Sequence, residues 1–206
     1  MRKVILIISD DIYYITGLSK WFEYCKKDYF SIFLKSKHKF DCYLKNEKIL
    51  LSTDTIVLLS IKDIDLQNIL VSFLFKKVSL CISPFGFYSK HNYFFQNGLC
   101  YFNRKISLSD LNKMLASMWR NIKNTNVITS KEFFILTEIS KSTSSRKVSN
   151  KINLTEKMVS YYKRTALKKM GVESNQYYLC VHPVFSIIIE VIRGGGQLQK
   201  NIDMLN

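Results

Sequence analysis

Patterns for metal binding and disulfide pairing are missing from this chain, and so is any hydrophobic run long enough to cross a membrane. The five cysteines, at positions 25, 42, 81, 100 and 180, are odd in number and include no Cys-x-x-Cys pair. That argues against a secreted disulfide framework and for free thiols in a reducing cytosol. The three histidines, His38, His91 and His182, lie far apart with no carboxylate or cysteine at ligand spacing, so no metal site is legible. Neither a Ser/His/Asp or Cys/His arrangement nor a glycine-rich phosphate loop offers catalytic chemistry. The chain therefore reads as a non-enzyme with no cofactor and no small-molecule substrate. The apolar run Val4–Ile8 is too short for a signal peptide and is followed by two acids. The run Val184–Ile192 is interrupted by Glu190 and falls far short of a membrane span. A cytoplasmic protein without a membrane segment is the expectation.

Acids are the other scarcity. Sixteen Asp and Glu face 31 Lys and Arg, a formal net charge of +15 over 206 residues. Such a field favours a polyanionic partner, either nucleic acid or an anionic membrane surface.

Strand-like and helix-like segments alternate through the first part of the chain. Val4–Ile8 is a continuous β-branched run of the kind that forms a buried parallel strand. Ile15–Tyr24 reads as a helix with Leu18, Trp21 and Phe22 on one face. Ser31–Leu34 and Thr55–Ser60 read as strands, and Leu66–Phe75 as a helix. Val78–Ser83 is a strand ended by Pro84 and Gly86, His91–Gln96 a short helix, and Leu99–Phe102 the last strand. Ser107 caps a helix reaching Trp119, with Leu108, Leu111, Met114, Leu115 and Met118 as its apolar stripe. Alternation of this kind predicts a doubly wound α/β domain with a mostly parallel sheet. The polar, Asn-rich stretch after Trp119 is the best linker. The expected division is 1–120 for the α/β domain, 121–127 for the linker, 128–182 for a helical domain and 183–206 for a C-terminal extension.

The helical domain is the most informative stretch. Val148, Ile152 and Leu154 mark a short helix leading into a turn. Thr155 then stands as N-cap before a periodic run through Met158, Val159, Tyr162, Ala166, Leu167 and Met170, and Gly171 sits where a C-cap glycine would. The second helix carries Lys157, Lys163, Arg164, Lys168 and Lys169. From Lys131 to Lys169 there are ten lysines and arginines against three acids. A helix–turn–helix with that charge suggests a groove-reading element.

The stretch from Ile128 to Asn175 resembles the LuxR/FixJ/NarL type of helix-turn-helix. Thr129, Lys131 and Glu132 stand for its opening T-x-R-E, Ser144 to Ser149 for S-N-K-E-I-A, and Leu154-Thr155 for I-S. Val159 takes the family valine, and Lys169-Met170-Gly171-Val172 matches K-L-G-V. Departures are Ser142 for the turn glycine, Ser149 for the usual alanine, and Glu138 where a leucine is common. In the recognition helix, T-V-K-x-H becomes Met158-Val159-Ser160-Tyr161-Tyr162. The resemblance implies an all-α four-helix domain that binds double-stranded DNA, with Ser160, Tyr161 and Arg164 facing base edges. Phosphate contacts would then fall to Lys157, Lys163, Lys168, Arg146 and Lys151. It also implies a dimer formed through a last helix near Asn175–Val181.

The first domain resembles the receiver of such regulators in degenerate form. Ile5–Leu18 is similar to the family's opening strand and loop, with Ser9 and Asp10 on the paired acids. Thr53–Leu59 resembles P-D-L-V-L-L-D, which puts Leu59 at the phosphate-accepting position. Ser83 falls at the switch position and Arg104 at that of the phosphate-binding lysine. Leucine cannot accept a phosphoryl group, and Mg²⁺ needs clustered acids. A pseudo-receiver is implied, one that keeps the fold as an interaction surface. The arrangement resembles the atypical fimbrial and capsule-synthesis regulators of enteric bacteria. By that likeness the partner is a second copy or a response-regulator protein. Either the chain is itself a sequence-specific regulator, or it is an auxiliary that binds DNA little when alone.

Overall fold

The computed structural model describes residues 4–35, 52–75, 77–84, 89–96, 98–120, 128–141 and 144–172. The chain runs β1 (Val4–Ser9), α1 (Ile12–Tyr24), β2 (Tyr29–Phe33), β3 (Thr55–Ser60), α2 (Ile64–Leu74), β4 (Ser79–Ile82), β5 (Tyr93–Gln96), β6 (Leu99–Phe102) and α3 (Leu108–Trp119). Three further helices follow: α4 (Ser130–Ser140), α5 (Ser145–Ile152) and α6 (Glu156–Lys169). One six-stranded sheet takes the order β2-β1-β3-β4-β6-β5. Its first five strands pair in parallel and β5 pairs antiparallel to β6.

Period-two alternation divides the sheet's side chains between two cores. Ile5, Ile7, Ile56, Leu58, Cys81, Cys100 and Phe102 face α1 and α3, which add Ile15, Leu18, Phe22, Leu111, Met114 and Leu115. Leu6, Ile8, Val57, Leu59, Leu80, Ile82, Leu99 and Tyr101 face the other way, where α2 supplies Leu66, Leu70, Val71 and Leu74. Helices on both faces make this the expected α/β domain. Leu108 departs from its expected stripe; at 48% exposure it stands outside the core.

The segment His91–Gln96 corrects the sequence reading. Its Tyr93–Gln96 part is the edge strand β5 and not a helix, and the register sets Gln96 opposite Leu99. Gly98 sits at φ +80, a left-handed conformation that glycine adopts without steric cost. Phe94 stacks on Tyr101 with ring centroids 5.1 Å apart, and both rings belong to the second core.

With a strand where a helix was expected, α2 does not cover that face alone. Ile128, Leu136, Ala166, Leu167, Met170 and Val172, from the helical domain, complete the same contiguous core. Gln96 joins the two parts: its side-chain oxygen accepts from the Ile128 N–H at 3.1 Å and its amide donates to the Ile128 carbonyl at 3.3 Å. The 121–127 linker, the segment 36–51, the dimer helix near Asn175–Val181 and the 183–206 extension lie outside the described residues.

Candidate nucleic-acid interface

Side-chain capping sets the ends of the three C-terminal helices. Thr129 and Glu132 form a reciprocal capping box at α4: the Glu132 N–H donates to Thr129 Oγ1 at 3.2 Å and the Thr129 N–H to Glu132 Oε2 at 2.7 Å. Ser144 Oγ caps α5 and Thr155 Oγ1 caps α6. Between α5 and α6 the chain turns at Asn153, whose φ of 51 is a left-handed value that asparagine tolerates better than most residues. At the far end of α6, Gly171 N–H donates to the Lys168 carbonyl and Val172 N–H to that of Leu167, at 3.0 and 2.8 Å. These two bonds, with Gly171 at φ +71, form a Schellman motif.

Ile135, Val148 and Val159, one from each helix, are the fully buried centre of this domain, with Ile139, Ile152, Leu154 and Tyr162 packed around them. Two buried acids of α4 clamp its neighbours. Lys169 Nζ lies 2.9 Å from both Glu132 carboxylate oxygens, which fastens α6. Lys151 Nζ reaches Glu138 Oε2 at 2.5 Å, which fastens α5. Glu138, a departure from the family pattern, thus has a structural role that its sequence position did not announce. Burial raises the Glu132 carboxyl, but the Thr129 N–H and the Lys169 ammonium outweigh it and hold the group below the usual carboxylate range.

What α6 leaves uncovered is a basic face. Lys157, Tyr161, Arg164 and Lys168 recur at three- and four-residue spacing on one side of the helix, and all four are exposed, Tyr161 at 59%. Arg164 is steadied by its own helix, Nε donating to the Ser160 carbonyl at 3.4 Å. Ser160 and Lys163 flank this face half-buried. Arg146 is exposed on α5, whereas the Lys151 ammonium is already engaged by Glu138. Met158, expected in the apolar run, is 41% exposed and extends the same open face. Tyr162 packs inward, its ring under Lys131 Nζ at 5.3 Å.

The other candidate site lies at the C-terminal edge of the sheet. Ser9 Oγ donates to the Ser60 carbonyl at 2.7 Å, and Asp10 Oδ2 accepts from the Lys62 N–H at 2.8 Å. Asp11 N-caps α1 through the Tyr13 and Tyr14 N–H groups and pairs with Arg104. The Tyr14 N–H above all holds the Asp11 carboxyl low, against its partial burial and with help from the Arg104 guanidinium. Leu59 is fully buried among the aliphatic side chains of the second core. Ser83 is also buried, and its hydroxyl has no partner among the described residues. No group of three or more His, Cys, Asp and Glu that could hold a metal occurs among the described residues. Nor is any described helix long and apolar enough to cross a membrane.

Comparison with known proteins places the helical domain. Residues 126–181 match the family model of bacterial regulatory proteins, luxR family. No curated protein matches the chain. Among solved structures, RcsB from Salmonella enterica serovar Typhimurium bound to promoter rprA is 14% identical, covering 90% of this chain and 100% of that one at a TM-score of 0.48. A two-component response regulator RcsB–DNA complex is 17% identical over 90% of this chain and 99% of that one, at 0.48. Full-length FixJ from B. japonicum is 10% identical over 90% and 98%, at 0.39. At such identities and scores these likenesses carry no argument about function.

Proposed function

We propose that this luxR-type DNA-binding regulator reads a specific duplex sequence with α6 and acts without phosphorylation of its α/β domain. The helix-turn-helix within residues 126–181 makes the chain a regulator of transcription and not an enzyme. In the proposed complex α6 enters the major groove, with Ser160, Tyr161 and Arg164 toward base edges. Lys157, Lys163, Lys168 and Arg146 meet backbone phosphates, and Lys151 does so on leaving Glu138. The observation that carries this reading is the exposed Lys157–Tyr161–Arg164–Lys168 face on a helix capped at both ends.

Independence from phosphate is supported by Leu59, whose aliphatic side chain is buried at the expected acceptor position, and by Arg104, already paired to Asp11. Division of labour follows the domains proposed from the sequence, 1–120 as the receiver-like part and 128–182 as the DNA-binding part. The working form is a dimer, with itself or with a response-regulator partner, in the cytoplasm.

A binding titration tests the reading. Specific operator and random duplex are compared at physiological salt, for the wild type and for Arg164→Ala. The wild type should prefer the operator, and loss of a bidentate base contact should cut that preference by about 5- to 150-fold, equivalent to about 1–3 kcal/mol. Equal binding of both duplexes by the wild type would remove the core of the idea.

One observation favours a second reading, an auxiliary that modifies a partner regulator. The C-terminal half of α6 is packed into the core under the sheet, so the helix is not free to reorient. A footprint that appears only when a response-regulator partner is added would select that alternative.

A further inference from the structure

We infer that α6 carries an apolar edge, made of Met158, Tyr161 and Thr165, that selects A·T pairs by the C5-methyl groups of their thymines. The inference rests on the proposed entry of α6 into the major groove and adds what the helix selects there. At about 100° per residue, Arg164, Lys157 and Lys168 fall within an arc of about 40° on the open side of α6. Tyr161, Thr165 and Met158 follow over about the next 80°. The helix thus has a cationic edge and, beside it, an edge without charge. Glu156, the one acid of α6, lies about 160° from Met158 and belongs to neither edge.

Exposure separates this edge from ordinary surface. Among the described residues of the helical domain, Met158 at 41% and Tyr161 at 59% are the large apolar side chains left exposed, and they lie one turn apart on one helix. Apolar residues scattered singly over a surface need no explanation, but these two are neighbours, and α4 and α5 leave none of that size exposed. Thr165 is half-buried beside them and brings a further methyl to the strip. The edge is also held in place. Met158 N–H donates to Thr155 Oγ1 at 3.2 Å, which fixes the backbone of the first turn. Tyr161 meets Tyr162 edge to face with centroids 5.8 Å apart, and Tyr162 packs around the Ile135, Val148 and Val159 centre. Beyond Met158 the strip ends at Lys169, whose ammonium is engaged by Glu132. Side chains on so firm a support have little freedom left to lose on contact.

The groove offers a partner for each edge. Phosphates and the guanine acceptors suit the cationic one, whereas the thymine C5-methyl is the apolar group that base pairs present in the major groove. Met158 has no donor and its thioether is a weak acceptor. Opposite a G·C pair it would take water from polar base edges without replacing the lost hydrogen bonds. Opposite thymine it buries a methyl instead, and an unbranched, polarizable side chain adapts readily to that contact. Where the luxR-type pattern T-V-K-x-H has threonine this chain has Met158, so the apolar edge is broader here than the pattern provides.

The test is selection of duplexes from a random library by the full chain, followed by replacement of every thymine with deoxyuridine, which deletes the methyl alone. Recovered duplexes should share thymines at fixed positions. The wild type should bind the uracil form about fourfold more weakly for each methyl it contacts. Met158→Ala, a good helix former at an exposed position, should cut that thymine-to-uracil ratio by about fourfold, and Met158→Leu should keep it. Lys157→Ala, on the cationic edge, should weaken both forms alike. Recovered duplexes with no shared thymine, equal binding of the two forms by the wild type, or a ratio that Met158→Ala leaves unchanged would each overturn the inference. If the wild type prefers no selected duplex over random sequence, the reading of α6 itself fails and the thymine edge falls with it.

Discussion

The two halves of α6 are held in different ways. Its first two turns pack Val159 and Tyr162 against α4 and α5 and are capped by Thr155, with Lys157, Met158 and Tyr161 open to solvent. Its last turn, with the C-cap Met170, puts Ala166, Leu167 and Met170 into a core shared with β4, β6 and α2. One end is thus available for recognition while the other is part of the α/β domain's own packing. A helix anchored this way cannot shift relative to the sheet without opening apolar surface.

The most forceful way to break this comparison is to hollow out the anchored half. Met170 is fully buried, and Met170→Ala should cost about 2–4 kcal/mol through lost burial and the cavity left behind. Because the core is shared, thermal unfolding followed by near-ultraviolet and far-ultraviolet dichroism should shift as one transition. Unfolding of the helical domain alone, with the sheet's transition unmoved, would show that the two halves of the core are not coupled.

Local chemistry explains how much of this was readable in advance. Ser107, Thr155 and Gly171 mark helix ends by hydrogen bonds within a few residues, so those boundaries are legible from sequence and the structure keeps them. The runs of β1 and β3 are legible by composition instead, as short apolar, β-branched stretches. His91–Gln96 is not, because Tyr93, Phe94 and Phe95 are continuous and aromatic and fit either period. The Asn97-Gly98 pair that follows is the turn signal that distinguishes them. Contacts such as Gln96 with Ile128 and Ser89 with Met170 have no local signature, since each joins residues brought together only by the completed fold. Glu138 reads as a departure in sequence and becomes intelligible only once Lys151 is seen beside it.

A second, smaller effect sharpens the account of how α6 is tied to α4. Glu132→Gln should lower stability at neutral pH by about 1.5–3 kcal/mol, the range for a hydrogen bond to a charged group. The sign of its pH dependence follows from the depressed carboxyl of the folded state. Stabilisation from Glu132 is fully present above the unfolded value near pH 4.3, and is lost as pH falls through the lower folded value. Denaturation curves from pH 7 to pH 3 should therefore show the wild type converging on Glu132→Gln at the acid end. A constant gap across that range would mean that the ionisation of Glu132, held by the Thr129 N–H and Lys169, contributes nothing.

The smallest expected change in stability belongs to the open half. Tyr161 is 59% exposed and touches its neighbour Tyr162 only edge to face, with centroids 5.8 Å apart. Tyr161→Ala should move the unfolding free energy by no more than about 0.5 kcal/mol, the usual range for surface positions. Affinity for the operator should nonetheless fall about 3- to 10-fold while affinity for random duplex holds, because base contacts specify and phosphate contacts do not. That pairing of outcomes distinguishes a reading residue from a packing one: equal loss on both duplexes would assign Tyr161 to the phosphate set, and a large loss of stability would place it with Tyr162 in the core.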